Sequence, residues 1–252
     1  ENLKIQNNVI ESAWKSGTRR LLFLGSSCIY PKLAKQPIKE EYLNCGELEK
    51  TNQWYATAKI SGIKLCEAYK KQHNFDSICL MPTNLYGPGD NYHSKNSHVI
   101  PSLIKRFHDA KSTNKSEVIC WGSGNPRREF LHVEDLAEAS IFTLRYWNPK
   151  LEKGTLSKNV SSQLHINVGT GKDLTIRELA EEIASIIGYA GEIKWDSTKE
   201  DGTPQKLLDV SKLKKMGWTW LVISNSGSGV YIFNKHGKKR FYKVLHIEIK
   251  SI

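Results

Sequence analysis

Tyr55 and Lys59 stand four residues apart, one helical turn, so their side chains project from the same face. An ammonium there favours phenolate and is expected to bring the phenol toward useful acidity, so that it can protonate a ketone oxygen. Tyrosine and lysine at this spacing also occur on ordinary surface helices, so their context has to decide. Ser26 stands 29 residues upstream, just past a short apolar run, where its hydroxyl can hydrogen-bond the same oxygen. Cys28 adds a thiol to that turn, Gly25-Ser26-Ser27-Cys28-Ile29-Tyr30-Pro31. A reactive thiol needs a nearby cation, for which Lys59, His98, Arg106 and Arg128 are available; without one, Cys28 is a small packed hydrophobe.

The elements that must position these residues follow an α/β rhythm. Leu3 to Trp14 reads as a helix with Ile5, Val9 and Ala13 on its packed face. Leu21 to Leu24 is a short continuous apolar run, expected to be a central parallel strand covered on both faces. The carboxyl ends of such strands are where α/β sheets bind ligands, and Ser26 follows one. Tyr55 to Tyr69 reads as the next helix and Ser77 to Met81 as a buried strand ended by Pro82, with Pro82 to Gly89 as a loop. Helices around Ile100 to Phe107 and Leu136 to Tyr146 alternate with strands at Val118 to Trp121 and His165 to Val168. Thr175 with Glu178 forms a capping box that launches an amphipathic helix ending at Gly188. Gly169-Thr170-Gly171-Lys172 lacks the spacing of a phosphate loop and is read as a turn leading toward that helix. Ser224 to Gly229 resembles a flexible linker, and 221–252 is read as a divergent basic tail, loosely packed.

With 39% hydrophobic and 25% charged residues and no apolar run near the length of a membrane span, a cytoplasmic protein without a membrane partner is expected. Residues 1–16 lack the features of a secretory signal. Five widely spaced cysteines without a C-x-x-C pair read as reduced thiols, and no metal site is expected. The net charge is +11, and the tail holds a large share of it, six basic residues against Glu248 alone. No nucleic-acid motif accompanies the charge, so nucleic acid is not an expected partner. A basic body suits an enzyme of anionic diphosphate ligands, or is simply a solvated lysine-rich surface.

Six blocks together resemble the GDP-L-fucose synthase family of extended short-chain dehydrogenases. They are Gly25 to Lys32, Tyr55 to Lys59, Met81 to Pro88, Asn96 to Pro101, Arg128 to Val133 and Asp201 to Val210. The resemblance runs from the start to about Trp218. It implies a partial Rossmann-type parallel sheet with a smaller α/β substrate-binding lobe. Residues 1–85 would be the remaining NADP-binding part. Residues 86–220 would be the lobe, interleaved with returning Rossmann elements at about 127–170.

The implied activity is NADPH-dependent epimerisation at C3 and C5 and reduction at C4 of GDP-4-keto-6-deoxy-D-mannose. Tyr55, Lys59 and Ser26 would be the reductase group, and Cys28 with His98 the epimerisation pair. Tyr55, Lys59, His98 and Pro82, Thr83, Asn84 and Leu85 would contact NADP(H). Arg106, Trp121, Arg128 and Lys206 would hold the GDP-sugar, in a homodimer. The alternatives are a single-step nucleotide-sugar epimerase or dehydratase, and a non-catalytic nucleotide-sugar binder. The family's glycine-rich strand-turn-helix has no counterpart in this sequence. The expectation is therefore a chain carrying part of the cofactor site, inactive by itself.

Overall fold

The computed structural model describes residues 1–93, 96–149 and 163–220, and the backbone of three further strands. In chain order the first elements are helix α1 (Asn2–Lys15), strand β1 (Leu21–Leu24), helix α2 (Gln53–His73), and strands β2 (Ser77–Pro82) and β3 (Asn84–Tyr86). Helix α3 (Val99–Ser112), strands β4 (Glu117–Trp121) and β5 (Arg127–His132), and helix α4 (Val133–Tyr146) follow. Next come β6 (His165–Val168), β7 (Asp173–Thr175), α5 (Ile176–Ile187), β8 (Glu192–Asp196), β9 (Gln205–Lys206) and α6 (Ser211–Lys215). The last are β10 (Val222–Ser226), β11 (Gly229–Phe233) and β12 (Lys239–Tyr242).

The chain forms two compact units. One comprises Glu1–Leu85, Asn125–Thr175 and Asp201–Trp218. Its main sheet is parallel, in the order β1-β2-β6, with Leu22 opposite Ile78 and Leu80 opposite Ile166. Strand β2 is buried along its whole length, as a continuous apolar run in mid-sheet should be. Strand β1 differs from expectation: among the described residues it is an edge strand, half-buried, with Leu24 43% exposed. A short apolar run does not distinguish a central strand from an edge strand.

Helix α1 also packs by another face than its apolar spacing predicts. Leu3, Ile5 and Val9 are exposed, while Gln6 and Ile10 are buried. The polar Gln6 is tolerated because its Nε2 donates to the Ala58 carbonyl of α2 at 2.7 Å. In α2 the backbone passes so close to the Phe23 ring that only a glycine fits at position 62. A second sheet in this unit places β5 between β3 and β7, with β9 joining β5 in parallel and Arg128 opposite Lys206. Strand β3 lies where the sequence suggested only a loop after Pro82.

The other unit comprises Tyr86–Gly124, Ile176–Glu200 and Thr219–Ile252. Strands β4 and β8 pair in parallel, Val118 opposite Ile193. Leu103, Phe107, Val118, Leu179 and Ile183 are buried there, with the Phe107 and Tyr189 rings 5.6 Å apart. Strands β10, β11 and β12 form an antiparallel meander. Ser224, Asn225 and Ser226 thus belong to a strand and not to a linker. Ser226 pairs with Gly229. The rest of the tail reading lies outside the described residues. No helix among the described residues is long and apolar enough to cross a membrane, and none of their side chains form a metal-binding group.

Candidate active site

The turn after β1 is held open by backbone bonding. Gly25 N–H donates to the Leu80 carbonyl at 2.8 Å, extending the pairing of β1 with β2 by one residue. Ser26 then takes an extended conformation, and its hydroxyl accepts the Cys28 N–H at 3.2 Å, capping the 3-10 turn Ser27–Ile29. That fold brings the Ser26 hydroxyl to the Tyr55 phenol, where its hydrogen bond favours the phenolate. Tyr30, two residues beyond the thiol, donates its hydroxyl to Asn167 Oδ1 at 2.6 Å in the interior. Asn167 Nδ2 in turn donates to the carbonyls of Ile38 and Asp209 at 2.9 and 3.1 Å.

Lys59 reaches back across this turn. Its Nζ donates to the Leu24 carbonyl at 2.8 Å and lies 5.7 Å from the centre of the Tyr55 ring. Burial lowers the Lys59 pKa. The Tyr55 phenol, however, is raised above its ordinary value, first by burial and then by the charge of Cys28, against the Ser26 bond. The expected drop in the phenol's pKa is therefore not what this arrangement gives. At the distance of Lys59 its pull does not overcome desolvation, and Tyr55 stays a loaded proton donor.

The cation beside Cys28 is Lys206, whose Nζ lies 3.6 Å from Sγ. An ammonium at that range is the counter-ion a thiolate needs. Lys206 is 178 residues away in sequence, where the resemblance implies only a substrate contact, and comes to the thiol through the pairing of β9 with β5. Arg128, opposite Lys206 in that pairing, is lowered by burial, while Asp201 and Cys28 act to sustain its charge. Thr83 Oγ and Asn84 Nδ2 both donate to the Glu129 carbonyl, at 3.0 and 2.9 Å. Pro82 pairs with Val168 at the end of β2, and Leu85 lies half-buried in β3. The first unit thus gathers Ser26, Cys28, Tyr55, Lys59, Arg128 and Lys206.

His98, Arg106 and Trp121 belong to the second unit. His98 is exposed and precedes α3, its carbonyl accepting the Ser102 N–H at 3.0 Å. Arg106 lies over the Trp121 ring at 5.8 Å and donates to the Ile119 carbonyl at 2.7 Å, leaving Trp121 68% exposed. An exposed indole braced by a guanidinium is a ready stacking surface.

Comparison with known proteins assigns this arrangement to a family. Residues 1–157 match the model of the NAD dependent epimerase/dehydratase family. The chain belongs to that family. GDP-L-fucose synthase 1 of Arabidopsis thaliana is 55% identical over 219 residues, 86% of this chain and 64% of the relative. GDP-L-fucose synthase of Escherichia coli K12 is 54% identical over 219 residues, 86% of this chain and 67% of the relative. The chain therefore spans just under two thirds of the plant relative's length. A solved GDP-mannoheptose C4 reductase from Campylobacter jejuni, with NADP bound, superposes with a TM-score of 0.74 at 36% identity, covering 88% of this chain and 69% of that one. The fold is the Rossmann-like α/β architecture of the family's reductases and epimerases. Sequence reasoning missed two residues at this site: Asp201, which sustains Arg128, and Glu129, which ties the neighbouring loops together. An acidic residue directly after Arg128 was the signal available for the second.

Proposed function

We propose that this chain carries the catalytic residues of a cytoplasmic enzyme of the GDP-L-fucose synthase type. It would act by NADPH-dependent epimerisation at C3 and C5 and reduction at C4 of GDP-4-keto-6-deoxy-D-mannose. The observation that carries the reading is a thiol with its own ammonium, Cys28 with Lys206 at 3.6 Å, in the same turn as the serine that meets Tyr55. A single-step epimerase or dehydratase has no use for such a thiol. The 54% to 55% identity to named GDP-L-fucose synthases supports the same substrate.

In this reading the first unit is the remaining NADP-binding part and the second the substrate lobe. The C4 ketone acidifies the C–H bonds at C3 and C5. The Cys28 thiolate takes a proton from one face and the His98 imidazolium returns one to the other, so each inversion leaves a thiol and a neutral imidazole to be reset by solvent. NADPH, when bound, supplies hydride to C4. Tyr55 gives its proton to the C4 oxygen, and Lys59 steadies the phenolate that remains. Such a cofactor would be held by Lys59 and Tyr55, with Lys59 bonded at the carboxyl end of β1, and by Pro82 to Leu85, at and after the end of the neighbouring β2. Thr83 and Asn84 direct their side-chain donors inward to Glu129, so this stretch offers backbone as the nicotinamide wall. His98 would complete that contact. Arg128, Lys206 and Arg106 would neutralise the diphosphate, with Trp121 stacking on the ligand. Ile5 and Val9, one helical turn apart on α1, are exposed and would suit a homodimer interface.

A GDP titration followed by thermal unfolding tests the substrate reading, since the proposed diphosphate cations lie within this chain. GDP at about 100 times its dissociation constant should stabilise the chain by about 2.7 kcal/mol. That shift should shrink in Arg128→Ala. No shift with millimolar GDP would remove the GDP-sugar assignment.

A further inference from the structure

Glu129 is fully buried at the centre of β5, yet among the described residues its carboxylate meets only neutral donors. Oε1 accepts the Gly171 N–H at 2.6 Å and the Thr170 hydroxyl at 3.3 Å, while Oε2 accepts the Leu208 N–H at 2.9 Å. Gly169 lies against the carboxylate so tightly that a methyl at its Cα would strike both oxygens. The carbonyl of the same residue takes the donors of Thr83 and Asn84. One residue therefore binds the segment after β2, the turn after β6 and the chain just past β9. Burying an ion without a counter-charge is costly, and desolvation does raise this carboxyl's pKa. A hydrophobic residue of similar volume would fill the space without that cost, but it could not accept N–H groups from two loops at once.

The geometry points to Glu129 as a positioning residue: by fixing the Leu208 N–H against the end of β6, it holds Lys206, two residues earlier, on the thiol of Cys28. Strand β9 comprises only Gln205 and Lys206 and has little ladder bonding of its own. The chain after it is held by Ile38, whose N–H donates to the Leu207 carbonyl at 2.7 Å and whose carbonyl accepts the Asp209 N–H at 2.8 Å. Gln36 accepts the Leu207 N–H at 2.9 Å and donates to the Gln205 carbonyl at 3.1 Å, Gln205 Nε2 donates to Asp173 at 2.7 Å, and Glu129 adds the tether from the sheet side at Leu208. The Cys28 turn is anchored to β6 through Tyr30 and Asn167. Both members of the thiol-ammonium pair are thereby referred to the same strand. The inference concerns the thiol's surroundings and holds whatever sugar nucleotide the protein uses.

Glu129→Gln keeps the volume but replaces one acceptor by an NH2 group that faces an N–H donor, releasing one tether. The readout is the alkylation of Cys28 by iodoacetate relative to iodoacetamide, each followed on the Cys28 peptide by mass spectrometry in the intact chain. Both reagents require the thiolate, so their ratio cancels its amount and reports the local cationic field. An ammonium about 6 Å from the reagent carboxylate, at an effective dielectric of about 40 to 80, favours iodoacetate roughly three- to ten-fold. Lys206→Met should remove most of that preference, leaving the smaller contribution of Arg128, and Glu129→Gln should lower it part of the way toward that level. Gly169→Ala, which displaces the carboxylate without altering its charge, should do so as well and decides the question if Glu129→Gln does not fold. A folded Glu129→Gln or Gly169→Ala chain with the unmutated ratio would make Glu129 a packing residue only. An unchanged ratio in Lys206→Met would overturn the inference at its base. Absence of GDP binding would affect the proposed activity and leave this result standing.

Discussion

Replacing Asn167 by alanine should be among the most destabilising single changes near the site. Asn167 is fully buried and its side chain serves three partners: the Tyr30 hydroxyl, the Ile38 carbonyl and the Asp209 carbonyl. Its removal leaves the Tyr30 hydroxyl and the Asp209 carbonyl without this partner, at about 1 to 3 kcal/mol each when buried unpaired, while the Ile38 carbonyl keeps the Asp209 N–H. The Asp209 carbonyl is less enclosed than the others. A total of about 3 to 5 kcal/mol is expected, which for a chain of this size lowers Tm by roughly 6 to 20 °C. Tyr30→Phe strands only the Asn167 Oδ1 and should cost about 1 to 2 kcal/mol. Burial holds the Tyr30 phenol well above its ordinary pKa, so it remains a neutral donor across the working range. The two substitutions share one bond, so in urea or thermal unfolding the double variant should cost about 1 kcal/mol less than their sum. Strict additivity, or a Tyr30→Phe change within 0.5 kcal/mol of zero, would refute the claim that this bond anchors the Cys28 turn.

Two other outcomes follow from the interior. Burial lowers the pKa of His165, whose Nδ1 has no partner among the described residues, although its Nε2 is within 3.0 Å of the Glu40 carbonyl. The unfolded chain thus binds a proton that the folded one resists, and stability should fall as pH drops below about 6.5. His165→Gln should flatten that fall, as measured by Tm across pH 5 to 8. Gly62→Ala should raise helix propensity by about 1 kcal/mol yet drive a methyl into the Phe23 ring. Overpacking typically costs about 1 to 3 kcal/mol, so net destabilisation is expected, and a gain in Tm would show that the ring can yield.

Much of the site was legible because its members are local in sequence. Ser26 and Cys28 share one turn and Tyr55 and Lys59 one helical turn, and strand β1 was delimited by its own apolar run. What stayed hidden depended on distant partners. Lys206 reaches Cys28 only through the pairing of β9 with β5, and β9 is too short to carry a pattern. Strand β5, Arg-Arg-Glu-Phe-Leu-His, mixes charge with apolar residues because Arg128 and Glu129 serve opposite sides of it, so its periodicity is masked. The packed face of α1 was misread because a hydrogen bond lets Gln6 replace an apolar residue. The Tyr55 acidity was misjudged for a related reason: spacing reveals the neighbouring ammonium but not the desolvation that outweighs it.

The division of labour between thiol and phenol is tested most directly by hydrogen exchange. The chain, fused to a family-type glycine-rich nucleotide-binding segment, would be given the 4-keto sugar nucleotide in deuterated water. Tyr55→Phe should still exchange the C3 and C5 protons while consuming little NADPH, and Cys28→Ser should lose the exchange, each activity falling by about two to four orders of magnitude. Exchange at the unmutated rate in Cys28→Ser would contradict the account, reducing Cys28 to a packed thiol and leaving a single-step chemistry at Tyr55.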